Sequence, residues 1–257
     1  MFQFRNGSKT SRAVYTATLA ITGAAILVLG SAAIPSPANA DELIASIARG
    51  GLLYDRWYEM IGADPPKTAH PSYPADKQYA KDPAANWRCK ECHGWDYKGK
   101  DGAYATGGRS TGIKGINGMM GADTAKIVSV LKDRTHAFAG KMDDADFMDL
   151  ANFVSRGQLD TDKYVNRATK TPIGGDAQKG ADVFNTVCAR CHGADGTRPK
   201  DMDETLGAQM GNPWEVMHKI MNGDPSKTGQ TMPSMRAFGP QVAVDVMTHL
   251  LTLPKKR

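Results

Sequence analysis

The residues best suited to chemistry in this sequence are four cysteines, arranged as two pairs that are each followed directly by a histidine. The two groups are Cys89-Lys-Glu-Cys92-His93 and Cys188-Ala-Arg-Cys191-His192, and they use every cysteine in the chain. Positions i and i+3 lie on the same side of a helical turn, so both thiols of a group can reach one planar ligand. The adjacent imidazole can then bind a metal held by that ligand.

Cys-x-x-Cys-His is the attachment sequence of c-type haem. The sequence therefore predicts two covalently attached haem c groups with iron, and it predicts His93 and His192 as the proximal ligands. Disulfides would not explain the histidine after each pair. A zinc ribbon has its cysteine pairs about 15–20 residues apart, whereas Cys92 and Cys188 are nearly a hundred residues apart. A thioredoxin-like site needs alternating strands and helices, and no such pattern is visible.

Residues 1–40 have the features of an export signal. Three basic residues precede an apolar stretch at 14–29, and Ala38-Asn39-Ala40 has the small-residue pattern that signal peptidase cleaves. We therefore expect cleavage after Ala40 and a mature protein in the periplasm. The alternative is that the apolar stretch, counted to residue 34, is retained as a membrane anchor.

The charge of the chain is nearly balanced once this segment is set aside. The 257 residues include 32 Lys and Arg and 27 Asp and Glu. The first 40 residues hold three of the basic and none of the acidic residues, which leaves 29 basic against 27 acidic. No long basic run remains, so no nucleic-acid partner is expected. Redox proteins are the expected partners, and a membrane is expected only if the N-terminal segment is retained.

The two motifs belong to a repeat with a period near 97–99 residues. Gly180-x-x-x-Phe184-x-x-x-Cys188 resembles the first helix of class I cytochromes c, and Gly51-Leu-Leu-Tyr54 matches the start of that helix in the first half. The string from Trp87 to Tyr97 resembles bacterial dihaem electron carriers. The resemblance implies an all-α fold of two fused class I cytochrome c domains. Each domain would enclose one covalently bound haem, with long loops in the first.

The expected segments follow from this resemblance. They are a signal peptide at 1–40, domain 1 at 41–157 with a Pro-rich insertion at 61–86, a polar linker at 158–173 and domain 2 at 174–257. Apolar periodicity predicts a helix at 241–253, and a proline in its first turn predicts one at 212–220. The repeat implies the remaining helices at 123–132 and 144–156, with Asp143 or Asp144 as an N-cap of the latter. The glycine-rich stretch at 99–121 predicts a loop with little regular structure.

The distal ligand of the second haem is expected from Thr231-Met232-Pro233. This string resembles the Met-Pro segment that supplies the thioether ligand in class I cytochromes c, which implies Met232 as the ligand. Met235 is the alternative.

Two counts give different distal ligands for the first haem. Counting forward from the preceding helix favours Met142. Counting back from the terminal helix favours His136, because seventeen residues separate it from Phe153, as seventeen separate Met232 from the matching His249. His136-Ala-Phe-Ala-Gly140 also resembles the Met-x-Phe-Ala-Gly segment of mitochondrial-type cytochrome c. We favour His136, since imidazole is a common haem ligand.

These ligands should give the two haems different reduction potentials, because a thioether ligand raises the reduction potential relative to imidazole. The expected function is a periplasmic carrier that passes single electrons between a donor oxidoreductase and a downstream acceptor, with no catalytic residue. The alternative is a dihaem enzyme that oxidises or reduces a small inorganic substrate at one haem. The four tryptophans are expected to pack in the core or haem pockets. Lys90, Lys98 and Lys100 are candidates for steering a partner, with an ordinary solvated face as the alternative. His70 is expected to be a solvated loop residue, with folding over the first haem as the alternative.

Overall fold

One long helix and several short helices form the described part of this protein. The computed structural model describes residues 37–200, 202–225 and 232–257. Most of the predicted export signal, and with it the alternative membrane anchor, lies outside these ranges. The α-helices within them are α1 (Pro37–Met60), α2 (Pro83–Asn86), α3 (Cys89–His93), α4 (Thr124–Leu131), α5 (Asp144–Asn152), α6 (Ala177–Val183), α7 (Ala189–His192), α8 (Leu206–Gln209), α9 (Pro213–Asn222) and α10 (Pro240–Leu250). None of the helices in the described ranges is long and apolar enough to cross a membrane.

Regular structure other than α-helix is sparse in the described residues. Strands β1 (Val165–Asn166) and β2 (Thr171–Pro172) pair antiparallel, with Val165 opposite Pro172. The glycine-rich stretch at 99–121 has one isolated bridge, between Gly99 and Lys114, and a short 3₁₀ turn, as the sequence predicted. The Pro-rich insertion is mostly loop, but its end forms α2, where the Asp82 side chain caps the first turn.

Capping residues set the helix ends near the predicted sites. The Asp123 carboxylate accepts from the backbone N–H groups of Ala125 and Lys126 at the start of α4. Asp143 and Asp146 form a capping box at the start of α5. Gly223 ends α9 with φ 92°, a conformation that favours glycine. These ends agree closely with the helices predicted from the sequence, and the last turn of the predicted 144–156 helix is a π-helix at Phe153–Gly157.

Helix α1 begins well before Gly51, the residue that the sequence comparison matched to the start of the helix. It runs from Pro37 to Met60, so the prediction of a helix start at Gly51 was wrong. Leu43 and Ile47, four residues apart, extend the apolar face of the helix onto the first core cluster. This packing stabilises the additional turns. Arg56 has φ −143° and ψ 72°, which kinks the helix near its C-terminal end.

The first and last helices of the second half cross at a glycine. A Cβ added to Gly180 in α6 would lie 2.0 Å from the carbonyl oxygen of Asp245 in α10. It would also lie 3.0 Å from the Cβ of His249. Only glycine lets the two backbones approach this closely. This crossing fixes the helix that leads into Cys188 against the terminal helix.

An equivalent crossing occurs in the first half, between α1 and α5. A Cβ on Gly50 would lie 2.1 Å from the carbonyl oxygen of Asp149 and 2.6 Å from the Cβ of Phe153. The glycine at the crossing is thus Gly50, and not the neighbouring Gly51 that the sequence comparison matched. The crossing places Phe153 where the second half has His249. This supports the register from which His136 was derived.

Two buried apolar clusters form the core. The first joins residues of α1, α4 and α5, and the second joins residues of α9 and α10 with Phe184. All four tryptophans are buried, as predicted for core packing; they are Trp57, Trp87, Trp95 and Trp214. Trp95, which follows the first haem-attachment motif, belongs to the second cluster. The two sequence halves therefore share side chains in the core.

Residues 158–173, predicted as a polar linker, pack against this core. Val165 is 1% exposed and belongs to the second cluster. The buried Gln158 amide donates to the carbonyl oxygen of Ile116 at 3.0 Å. Arg167 pairs with the buried Asp96 carboxylate at 2.9 Å. A hydrogen bond from Gln158 and an ion pair of Arg167 thus tie this segment to the rest of the protein.

Candidate functional site

The first Cys-x-x-Cys-His motif forms a single helical turn. Helix α3 contains all five of its residues and ends at Gly94, where φ is 79°. The helical turn expected from the spacing is therefore present. Neither Cys89 nor Cys92 is in a disulfide. Burial raises the pKa of both thiols to about 12, so both are neutral thiols at pH 7.

Helix α1 holds this turn at both ends. The Tyr54 hydroxyl donates to the carbonyl oxygen of Gly94 at 2.6 Å, just after the motif. Arg88, just before the motif, donates from Nε to the carbonyl oxygen of Asp55 at 2.9 Å and forms an ion pair with the Asp55 carboxylate. Burial alone would raise the pKa of Asp55, but the charges of Arg88 and Lys219 outweigh it and hold the pKa well below the usual range.

The His93 and His136 rings face the same region of the first half. Their centroids are 6.3 Å apart, and their planes differ by 22°. Nδ1 of His93 lies 2.8 Å from the carbonyl oxygen of Lys114, and Nδ1 of His136 lies 3.3 Å from Oδ1 of Asp133. Each Nδ1 therefore has an acceptor for its proton. The Nε2 lone pair of each ring is left available to a metal.

The separation of the two ring centroids is one that two imidazoles bound to the same metal ion would have. A bond from a metal to an imidazole nitrogen is about 2 Å, so two opposed bonds and half of each ring span about 6 Å. Burial lowers the pKa of His93 to about 4, against the opposing effect of its hydrogen bond to Lys114, so the ring is neutral at pH 7. Met142 is 9% exposed and packs within the first core cluster. The residues present thus fit an iron porphyrin held between His93 and His136.

The second motif follows the helix crossing at Gly180. After α6 the chain forms a π-helical turn at Phe184–Cys188 and then α7, which ends at His192. Nδ1 of His192 lies 3.3 Å from the carbonyl oxygen of Arg198, an arrangement like that of His93 with Lys114. Burial raises the pKa of Cys188 to about 11, and the neighbouring Cys191 contributes. Both Cys188 and Cys191 are free thiols.

A cavity of about 740 Å³ adjoins the second motif. Cys188, His192 and Met232 all line it, together with the apolar side chains of Phe184, Leu206, Val246 and Leu250. Met235, the alternative ligand, is packed into the second core cluster and is not among the lining residues. A cavity that brings thiol, imidazole and thioether groups together with apolar side chains fits a covalently attached haem.

Two arginines from the first half also line this cavity. Arg56 pairs with Glu59 at 3.1 Å. Arg109 donates to the hydroxyl of Tyr104 at 3.0 Å and forms no ion pair with a carboxylate in the described part of the chain. Haem carries two propionate carboxylates, and guanidinium groups suit such partners. Sequence reasoning missed Arg109, because it stands in a glycine-rich loop with no local motif.

The lysines near the first motif are mostly engaged within the protein. Lys90 is 3% exposed, forms an ion pair with Glu91 and lies over the Trp95 ring. The prediction that Lys90 steers a partner was therefore wrong, because its amino group is buried. Lys98 pairs with Asp160 and Asp162, and Lys100 pairs with Asp101 at the surface.

The loop histidine His70 does not lie where the favoured prediction placed it. It was expected in solvent, but it is 9% exposed. Its Nε2 lies 2.9 Å from the carbonyl oxygen of His136. The Pro-rich insertion thus reaches the segment that carries the predicted distal ligand.

One comparison with known proteins bears directly on the second half. Residues 175–250 match the family model described as cytochrome C oxidase, cbb3-type, subunit III. None of the curated proteins matches the chain. The family match, the Cys-x-x-Cys-His motif inside it and the mainly helical fold define a c-type cytochrome domain. Such a domain binds haem c covalently through the two cysteines of its motif and ligates the iron through the histidine. It exchanges electrons with redox proteins.

Proposed function

We propose that this protein is a periplasmic dihaem cytochrome c that passes single electrons between a donor oxidoreductase and a downstream acceptor. The observation that carries the proposal is the proximity of the His93 and His136 rings, whose centroids are 6.3 Å apart, at the first Cys-x-x-Cys-His motif. These two imidazoles would hold a haem iron in the first half, as His192 and Met232 would in the second half. When bound, each haem iron supplies a reversible one-electron change between the ferric and ferrous states.

Each group of residues has a defined role under this proposal. The thiols of Cys89 and Cys92 attach the first haem, and those of Cys188 and Cys191 attach the second. His93 and His136 bind the first iron, while His192 and Met232 bind the second. The carbonyl oxygens of Lys114 and Arg198 hold the Nδ1 protons of the proximal histidines, which would leave each Nε2 to bind iron.

The two-domain organisation is part of the proposal. Domain 1 spans 41–157 with the insertion at 61–86, domain 2 spans 174–257, and residues 158–173 join them. The equivalent helix crossings at Gly50 and Gly180 support the repeat. The predicted signal peptide, cleaved after Ala40, supports export to the periplasm, where c-type haem proteins meet their redox partners.

The ligand sets favour a carrier over a dihaem enzyme. An enzyme that acts on a small inorganic substrate at one haem needs an open or displaceable position on that iron. His136 has hydrogen-bonded backbone and ring groups, and Met232 lines the second cavity. If His136 and Met232 bind the two irons, the chain itself fills the positions that a substrate would need.

Mass spectrometry and spectroscopy of the periplasmic protein test this function. The mature chain should begin after Ala40 and carry two haems, and a Cys188→Ala/Cys191→Ala variant should carry one. The methionine-to-iron charge-transfer band should be present, absent in Met232→Ala and retained in the matched control Met235→Ala. His136→Ala should change the spectrum of the first haem, whereas Met142→Ala should leave that spectrum unchanged.

Carbon monoxide distinguishes the carrier from the enzyme. The reduced wild-type protein should bind carbon monoxide slowly at both haems, because a protein ligand must leave first. Rapid stoichiometric binding at one haem would overturn the carrier and favour the dihaem enzyme. A single haem per chain would overturn the dihaem proposal altogether.

A further inference from the structure

We propose that His70, in the Pro-rich insertion, is a positioning residue that holds the His136 segment in place and so slows dissociation of His136 from the first haem iron. The proposal rests on the proposed role of His136 as distal ligand. It gives the insertion at 61–86 a specific task.

The hydrogen bonds of the His70 ring define which nitrogen carries the proton. Nδ1 accepts from the backbone N–H of Ser72 at 3.1 Å. The proton of the neutral ring is therefore on Nε2, which lies 2.9 Å from the carbonyl oxygen of His136. Nε2 donates to that carbonyl oxygen. Both ring nitrogens are engaged with backbone groups, so His70 itself has no nitrogen free for a metal.

Packing fixes the His70 ring in this orientation. The ring is 4.4 Å from the Trp87 ring between centroids, at 66°. The backbone N–H of His70 donates to Oδ1 of Asn86 at 2.9 Å, and Nδ2 of Asn86 donates to the carbonyl oxygen of Tyr79 at 2.9 Å. Asn86 is 1% exposed. A buried amide thus anchors the insertion beside the ring, directly before the first haem-attachment motif.

A second hydrogen bond from the insertion reaches the same segment. The Ser72 hydroxyl donates to the carbonyl oxygen of Thr135 at 2.6 Å. On the other side of the segment, Oδ1 of Asp133 accepts from the backbone N–H groups of Thr135 and His136, each at 2.8 Å. The backbone around the predicted ligand is therefore bound from both sides.

The segment needs such support, because its backbone is strained directly after the ligand. Ala137 has φ 57°, in the left-handed region that disfavours residues with a Cβ. A strained conformation persists only where surrounding contacts hold it. The bonds from His70 and Ser72 are contacts of this kind. Without them the loop would relax more readily and withdraw the His136 ring.

The experiment compares ligand exchange in the haem-loaded protein and its variants. The rate is that of carbon monoxide binding to the reduced first haem, recognised as the phase that becomes fast in His136→Ala. His70→Leu should accelerate this phase by about tenfold, the equivalent of one lost hydrogen bond. His70→Gln, whose amide can donate to the same carbonyl oxygen, should remain near wild type. Ser72→Ala should give a smaller acceleration.

Lys67→Ala, an exposed change in the same insertion, is the matched control and should leave the rate unchanged. Wild-type rates in both His70→Leu and Ser72→Ala would overturn the proposal, as would a His70→Gln rate equal to that of His70→Leu. If His70→Leu does not bind haem, the rates of carbon monoxide binding to Ser72→Ala and His70→Gln test the proposal instead. A methionine charge-transfer band on the wild-type first haem, lost in Met142→Ala, would refute His136 as ligand. A bis-histidine spectrum with unchanged rates would refute only the role of His70.

Discussion

Nδ1 of His218 accepts a hydrogen bond from the hydroxyl of Tyr97, 2.9 Å away and on the other sequence half. Nε2 of the same ring donates to the carbonyl oxygen of Gly51 at 3.0 Å. His218 is 2% exposed and packs against the rings of Tyr54 and Trp95. The helix that precedes the predicted Met232 ligand is thereby joined to the first half through a fully satisfied buried histidine.

This contact predicts a loss of stability in mild acid. Burial lowers the pKa of His218 to about 4, below the value of about 6.5 in an unfolded chain. The unfolded state therefore binds the extra proton first, and stability is lost as the pH falls from about 6.5 towards 4, by up to about 3 kcal/mol. Nearby Asp55 favours protonation, whereas Arg236 and Lys219 oppose it.

Urea unfolding between pH 7 and pH 4 measures this effect. His218→Gln should be less stable than wild type at pH 7 and should lose the part of the pH slope that His218 contributes. His249→Gln changes a histidine on α10 outside this contact and should keep that part. An identical slope in wild type and His218→Gln would contradict the prediction.

The Asp55–Arg88 pair predicts a second pH-dependent effect, in stronger acid. Its lowered pKa means that Asp55 stabilises the fold above the unfolded value of about 3.9, and this contribution is lost as the pH falls below that value. Asp55→Asn leaves the largely buried Arg88 without its charge partner and should cost about 3–5 kcal/mol at pH 7. The cost, measured by urea unfolding, should shrink towards pH 3. Asp101→Asn, which breaks only a surface pair, should change stability by less than about 1 kcal/mol.

The helix crossings predict which glycines resist substitution. Gly180→Ala and Gly50→Ala each place a Cβ within 2.1 Å of a carbonyl oxygen. Each should therefore destabilise the fold by about 1–3 kcal/mol or more. Gly118→Ala meets nothing within 4 Å and is the matched control, with an expected change of less than about 1 kcal/mol. Thermal unfolding compares the three variants, and equal midpoints would refute the close approach at both crossings.

Arg109 predicts an effect on the reduction potential of the second haem. Under the proposed function, its guanidinium offsets propionate charge at the cavity that holds Met232. Arg109→Gln removes a positive charge, which stabilises the oxidised iron and lowers the potential. A loss of about 1 kcal/mol corresponds to about 40 mV for one electron. Redox titration should show this shift at the methionine-ligated haem and little shift at the other haem. Arg134→Gln, on an exposed loop, is the control and should leave the potential of the methionine-ligated haem unchanged.

The sequence could predict what depends on neighbouring residues. The spacing of Cys89, Cys92 and His93 already implied one helical turn, and α3 is that turn. The side chains of Asp123 and Asp143 cap backbone groups within three residues, so such caps can be predicted from the local sequence. The match of Phe153 to His249 was a comparison of two terminal helices, and both residues lie at glycine crossings.

Features that depend on distant contacts could not be read in this way. His70 meets His136 across 66 residues of sequence, and His218 meets Gly51 across 167. Lys90 looked like a surface cation because most lysines are exposed, yet the fold buries it over Trp95. In each case the residue that determines burial or hydrogen bonding belongs to another element, and no pattern in the neighbouring sequence indicates the contact.

The attachment of residues 158–173 to the core has a consequence for the rate of electron exchange. A flexible tether would let the two sites drift, and exchange between them would then wait on diffusion. Here Val165 is part of the second core cluster and Arg167 is paired with Asp96. The separation of the two motifs is therefore built into the fold. Under the proposed function, electron exchange within one molecule should be insensitive to solvent viscosity, so added glycerol should slow only the encounters with its partners.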